Sequence, residues 1–383
     1  MAKLKNGLKH VPPDARSVLE IDLGALRANW SKLRRRAAGA ECSGVVKADA
    51  YGLGLEEVAG TLTNEGCRTF FVATLDEARR VRTVNPGAQI YVLDGLLPGA
   101  EAYYAGFNLA PVLSSVDEIK EWAAYCRATN FRLSAAIHVD TGMHRLGLPA
   151  QEFYSLATLD DGPLNHFSIT LLMSHLSCAD TPHHPMNVQQ KTAFDQIRAL
   201  RPNVRASLAN SGGTFLGRDF LYDLVRPGIA LYGGRAFETE SNPMRPVVKL
   251  SARILQVQPA LPGDRVGYGG SYTVTRPSRV ATIACGYADG FLRALGGDDV
   301  RPGPAGYIGD YQVRVIGRVS MDLITLDVTD VPEDLAVRGA WVEVIGDRVT
   351  VDDLTDRAGT IGYELLSRLS RRVHRIYHDQ NTA

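Results

Sequence analysis

Between residues 40 and 232, short apolar runs alternate with amphipathic stretches of helical period, the texture of repeated βα units around a parallel sheet. Strand-like runs fall near 43–46, 69–73, 89–93, 108–112, 132–139, 168–174, 204–209 and 223–226, and eight is the number that closes a (β/α)8 barrel. Helices fit between them: Leu55, Val58, Ala59 and Leu62 repeat along one helical face, as do Ile119, Trp122, Ala123 and Cys126. One strand, 17–23, is surplus to the eight and precedes a helix with the apolar stripe Leu26, Trp30, Leu33 and Ala37. From residue 245 onward the pattern becomes alternating strands, such as 248–257 and 313–328, separated by Gly, Pro and Asp turns. A final helix is expected over 351–370. The pattern predicts an α/β chain, an N-terminal (β/α)8 TIM-type barrel followed by a C-terminal mainly-β domain. Residues 1–15 read as a flexible lead-in, 16–24 as a strand of the β domain, 25–240 as the barrel and 241–383 as the β domain.

The 383 residues, 45% hydrophobic, can bury a sizeable core, which excludes a disordered or fibrous chain. Forty-two basic and 42 acidic side chains cancel, so no global field draws the chain to nucleic acid or an anionic membrane, and a small-molecule partner is expected. The five cysteines are scattered without a CxxC pair, which suggests neither a disulfide framework nor a zinc site, and reduced thiols fit a cytoplasmic location. No apolar signal or membrane-spanning run is present. Arg34, Arg35 and Arg36 read as a solvated helix face. Asp180, His183 and His184 lie among prolines in an irregular loop, so no metal is expected.

In such a barrel the site is assembled at the C-terminal ends of the strands. There, Gly44-Val45-Val46-Lys47-Ala48-Asp49-Ala50-Tyr51-Gly52 puts a lysine directly after an apolar strand. Partial burial would lower its pKa and make the amine nucleophilic enough for a Schiff base. By itself a strand-end lysine is more often a snorkelling surface residue. Asn210-Ser211-Gly212-Gly213 has small residues that let backbone donors approach an anion, although as a lone motif it is common.

VVKADAYGLG at 45–54 resembles the cofactor-lysine motif of the alanine racemase family, and further signatures of that family follow in order. They are VDTGMHRLG at 139–147, MSHLSCAD at 173–180, LANSGG at 208–213, VRPGIALYG at 225–233, CGYADG at 285–290 and GRVSMD at 317–322. The resemblance spans roughly residues 17 to 378 and implies a barrel plus a β domain, pyridoxal 5'-phosphate as cofactor, and interconversion of L- and D-alanine. It implies that Lys47 carries the cofactor and then serves as base on one face of the α-carbon, with Tyr287 on the other. His175 would lie near the ring and Tyr287. Arg226 would face the pyridine nitrogen and, staying charged, keep it unprotonated. Ser211, the backbone N–H groups of Gly228 and Ile229, and the hydroxyls of Tyr51 and Tyr363 would bind phosphate. Arg145 and the backbone of Met321 would take the substrate carboxylate, with Ser320 and Asp322 flanking that contact. The resemblance further implies a head-to-tail homodimer in which Tyr287 and the Met321 loop come from the other subunit.

Two positions depart from the family pattern. His138 stands where many relatives have a carbamylated lysine whose negative charge fixes the arginine matched by Arg145, and a bound anion such as chloride between His138 and Arg145 is the expected replacement. Ser320 stands where the family often has cysteine. Three other functions share this kind of barrel: a racemase of broader specificity accepting serine or larger side chains, a non-catalytic pyridoxal phosphate-binding barrel, and a basic amino-acid decarboxylase. The last places a glutamate against the pyridine nitrogen, which Arg226 contradicts, and the second lacks the β domain.

Overall fold

The computed structural model describes residues 11–37, 39–238 and 241–379. Most of the expected lead-in, residues 1–10, lies outside the described residues, and 11–15 form a turn with Ala15 N–H donating to Pro12 O at 3.0 Å. The chain divides into two compact units. One is Arg27–Leu231 with Arg235–Met244, and the other is formed by the described residues up to Leu26, Tyr232–Gly234 and the described residues from Arg245 on.

The first unit is a parallel barrel. Gly44–Val45, Thr69–Val72, Gln89–Val92, Ala110–Leu113, Ser134–Asp140, Ser168–Met173 and Ala206–Ser207 are neighbours in that order. The ring closes because Glu41–Cys42 pairs in parallel with Leu224–Val225, whose flanking residues bond back to the Ala206 strand (Asp223 N–H to Ala206 O, 3.0 Å; Arg226 N–H to Ala209 O, 2.9 Å). Phe70, Phe71, Val72, Ala136 and Ile137 are fully buried, as continuous apolar strands covered on both faces must be. The helices present the stripes read from the sequence: Leu55–Asn64 buries Leu55, Val58, Ala59 and Leu62, and Val116–Thr129 buries Ile119, Trp122, Ala123 and Cys126. Helix starts are fixed locally by Thr74, in a capping box with Glu77, and by Ser115, which accepts from Glu118 N–H.

The second unit is built on an eight-stranded sheet. Val248–Ala260 pairs with Ser17–Asp22 on one edge and with Trp341–Ile345 and Ser278–Ile283 along its length, so the sheet curls on itself. Ser17–Asp22 also runs parallel to His374–His378. Two expected elements are divided. The run 313–328 is two strands, Tyr311–Ile316 and Ile324–Asp327, because Gly317 at φ +70° leaves the extended region and Ser320 N–H closes a turn on Leu323 O. The helix over 351–370 is likewise two, Val351–Ala358 and Gly362–Arg368, the first ended by Gly359 in the left-handed conformation. No helix among the described residues is long and apolar enough to cross a membrane.

Candidate active site

Lys47 stands one residue, Val46, beyond the barrel strand Gly44–Val45, and the four residues after it are unusual. Ala48, Asp49, Ala50 and Tyr51 all have φ between 53° and 56°, one left-handed turn closed by Gly52 N–H to Ala48 O at 2.8 Å. Each non-glycine residue in that region costs about 1–2 kcal/mol, so the turn persists only because its surroundings over-determine it. It brings Tyr51, buried, back to the barrel mouth, where a Cβ added to Gly228 would stand 2.2 Å from the tyrosine hydroxyl. Only glycine permits this approach.

Among the described residues the Lys47 amine makes no hydrogen bond or ion pair. Burial, and then the charge of Arg145, lower its pKa, against weaker opposing effects of Asp94 and Glu77. Arg226 is 4% exposed. Its guanidinium donates to Ser207 Oγ, to Ser174 O at 2.5 Å and to Leu208 O at 3.4 Å, and lies 5.8 Å from the Phe71 ring centroid. Asp223, a nearby carboxylate in sequence, instead pairs with Arg198 at 3.7 Å. Burial pushes Arg226 down to about 9, which leaves it charged at neutral pH. His138, on the strand Ser134–Asp140, is pushed down to about 4 by burial, then by Arg226, against Asp140, and by Arg145. His175, after Ser168–Met173, is lowered by burial and by the cations Arg226 and Arg145. The mouth therefore collects cationic and neutral-imidazole groups, an environment that favours an anionic guest.

Ser211 Oγ, 2% exposed, accepts the amide hydrogens of Gly228 at 2.8 Å and Ala230 at 3.3 Å. Ile229, between those two residues, is buried. Arg145 lies on an exposed loop whose backbone is gathered by Asp140, which accepts from Gly142 and Met143 N–H at 2.9 Å and from His144 N–H at 3.1 Å.

The remaining residues named from the sequence belong to the second unit: Tyr287, Ser320, Met321 and Asp322 in two loops laced together, and Tyr363 in the helix Gly362–Arg368. Tyr287 N–H donates to Ser320 O at 3.0 Å and Ala288 N–H to Met321 O at 2.9 Å, while Asp289 accepts from Gly286 N–H at 2.8 Å. A Cβ on Gly286 would lie 2.4 Å from the carbonyls of both Ser320 and Met321. Arg372 bridges Asp289 (2.9 Å) and Asp322 (2.6 Å). Tyr287 is 42%, Met321 53% and Tyr363 41% exposed.

Several supporting groups went unread in the sequence. Ser207 and Ser174 hold Arg226, and Gln190, fully buried, holds the loop after Met173 by accepting from Ser177 N–H and donating to His175 O, both at 2.9 Å. Glu77 was legible, since Thr74-Leu75-Asp76-Glu77 is a capping-box pattern. Arg372 carried no local signal. Among the described residues no group of three His, Cys, Asp or Glu side chains could hold a metal ion, and His184 caps the helix Pro185–Ala199.

Comparison with known proteins gives this geometry a family. Residues 21–236 match the family described as alanine racemase, N-terminal domain, and residues 247–377 match alanine racemase, C-terminal domain. The chain is 48% identical over 361 residues to the alanine racemase of Methylobacterium sp. (strain 4-46), covering 94% of this chain and 97% of that protein. Its fold is similar to the crystal structure of alanine racemase from Bartonella henselae with covalently bound pyridoxal phosphate, at a TM-score of 0.89 and 39% identity over 95% of this chain and all of that one. The biosynthetic alanine racemase of Pseudomonas aeruginosa follows at a TM-score of 0.85 and 34% identity, with the same coverage. Both halves matched and the identity spans almost the full length, so the chain belongs to the alanine racemase family.

Proposed function

We propose that this chain interconverts L- and D-alanine with pyridoxal phosphate carried on Lys47, and that Lys47 and Tyr287 exchange protons with opposite faces of the α-carbon. The observation that carries the reading is the Lys47 amine, desolvated and lowered in pKa at the barrel mouth. The residues present fit the cofactor. The Gly228 and Ala230 amides converge on Ser211, a polar cradle beside the Tyr51 hydroxyl that any side chain on Gly228 would fill. Ser211, the amides of Gly228 and Ile229, and the Tyr51 and Tyr363 hydroxyls would hold the phosphate. Pyridoxal phosphate, when bound, supplies an electron sink that acidifies the α-C–H of an attached amino acid.

The chain's own groups do the rest. Arg226, charged and held by neutral oxygens, would keep the ring nitrogen unprotonated, a weaker sink that favours prompt return of a proton over side reactions. The Lys47 amine would take the α-proton on one face and the Tyr287 phenol would give one on the other, with the roles exchanged in the reverse direction. His175, kept neutral by burial and neighbouring cations, is suited to hydrogen-bond Tyr287 rather than to act as an acid. Arg145 and the Met321 backbone would orient the substrate carboxylate, with Asp322 anchoring the latter loop through Arg372. Tyr287 and Met321 are exposed on a fixed backbone, which supports a head-to-tail homodimer in which each copy lends them to the other's barrel. A bound chloride between His138 and Arg145 would supply a negative partner for Arg145, which forms no ion pair among the described residues. Turnover and affinity unchanged on replacing chloride with a bulky organic anion would remove that part of the reading.

The experiment is circular dichroism of L-alanine, L-serine and L-lysine, each with enzyme and pyridoxal phosphate in deuterium oxide, followed by mass analysis. Decay to zero with α-deuterium uptake on alanine alone is expected. Decay on all three makes the chain a broad-specificity racemase, and a bound-cofactor spectrum with neither decay nor uptake contradicts the proposal.

A further inference from the structure

The left-handed turn after Lys47 is held by side chains from the next βα unit. Glu77 Oε1 accepts the Asp49 amide hydrogen at 3.1 Å, and its other oxygen accepts those of Ala73 at 2.9 Å and Thr74 at 3.4 Å. Asp49 Oδ1 accepts from Leu55 N–H at 3.2 Å and from Arg80 Nη2 at 2.7 Å. Arg80 is itself fixed by Glu56, Nε and Nη2 donating at 2.6 and 2.7 Å to its two oxygens. A lone surface ion pair does little, but a guanidinium fixed bidentately and shared by a second carboxylate has little freedom left.

We propose that Glu77, Asp49 and Arg80 form a clamp that enforces the left-handed turn and thereby positions Lys47 and Tyr51, at its two ends, for the cofactor. None of the three touches the reacting atoms, so they are positioning residues. The inference rests on Lys47 being the cofactor lysine. An unclamped turn would relax toward ordinary backbone conformations, and the Tyr51 hydroxyl would leave its place beside Gly228.

Glu77 also caps the helix Leu75–Val84, so its loss has a structural effect that must be separated. Thr74→Ala removes the other half of the capping box and leaves the Asp49 contact intact. Full-length wild type, Thr74→Ala, Glu77→Gln and Arg80→Ala are stripped of cofactor and titrated with pyridoxal phosphate by fluorescence. Their melting temperatures and amide hydrogen exchange at Asp49 and Gly52 are measured alongside. Glu77→Gln, which turns one acceptor into a donor facing amide hydrogens, is expected to weaken cofactor binding and speed exchange at Asp49 about tenfold, while Thr74→Ala lowers the melting temperature only. Adding Ala48→Gly, which removes the steric penalty at one turn position, should recover much of the lost affinity in the Glu77→Gln chain. Cofactor affinity and exchange at Asp49 in Glu77→Gln and Arg80→Ala equal to those of Thr74→Ala, or no recovery with Ala48→Gly, overturns the clamp. Failure of the wild type to take up pyridoxal phosphate overturns the functional reading instead, and the exchange comparison on the cofactor-free chains still decides the clamp.

Discussion

The barrel mouth and the loops of the β unit solve different problems. In the barrel, three buried polar groups are already satisfied or bracing: Arg226 is held by three oxygens, Ser211 by two amides, and Gln190 holds the loop after Met173. At Lys47 the charge of Arg145 outweighs the opposing effects of Asp94 and Glu77, a balance that favours an anionic guest. In the β unit the backbone is equally fixed, with the Tyr287 and Met321 segments bonded to each other and braced by Arg372, yet the side chains they carry are uncovered. A loop that is fixed in its backbone and carries exposed side chains is prepared for a surface supplied from elsewhere, in the proposed reading a second copy of the chain.

Breaking the barrel side should have the largest effect. Lys47→Ala is expected to lose the visible absorbance of bound cofactor and to lower turnover by at least about 10⁴-fold, measured by spectrophotometry and racemisation assay on one preparation. Tyr287→Phe should keep the absorbance and lower turnover by about 10³-fold. Mixing the two inactive chains after reversible dissociation sharpens the contrast. If each site takes Tyr287 from the other copy, random reassociation restores about a quarter of the wild-type sites, and no recovery would place both groups on one chain.

The third effect concerns pH. His138 folds with its pKa pushed down to about 4 from 6.5, so below 6.5 the unfolded chain binds a proton that the folded chain refuses. This contribution is fully present above about 6.5 and is lost as pH falls toward 4. His175 is shifted in the same direction. At low chloride, urea unfolding at pH 7 and pH 4.5 should show His138→Gln losing about 2 kcal/mol less than the wild type over that interval. An equal loss in both would mean that the imidazole is not held neutral. The smallest effect is expected from Gly228→Ala, whose methyl group meets the Tyr51 hydroxyl: cofactor affinity should fall about tenfold with the melting temperature little changed, by titration and thermal denaturation.

Much of this architecture was legible because the barrel strands are continuous apolar runs and the helices carry clean stripes, as Ile119, Trp122, Ala123 and Cys126 do. The division of 313–328 was harder, since apolar residues continue through Val319, and what ends the strand is a backbone angle at Gly317 rather than a change in hydropathy. Candidate chemistry could be read from the sequence where a motif is local, as at Lys47 and Ser211. It could not be where groups meet only through the fold. Ser207 reaches Arg226 across 19 residues, Arg80 reaches Asp49 across 31, and nothing in either stretch marks its partner. The left-handed turn itself was invisible, because Ala48, Asp49, Ala50 and Tyr51 include no glycine.

The proposed division of labour between Lys47 and Tyr287 is tested most directly by incubating Tyr287→Phe with L-alanine and with D-alanine separately in deuterium oxide and following α-deuterium incorporation before racemisation. The account predicts that exchange persists from the one antipode whose α-proton Lys47 reaches and is lost from the other. Exchange retained equally from both antipodes, or lost equally from both, would contradict it.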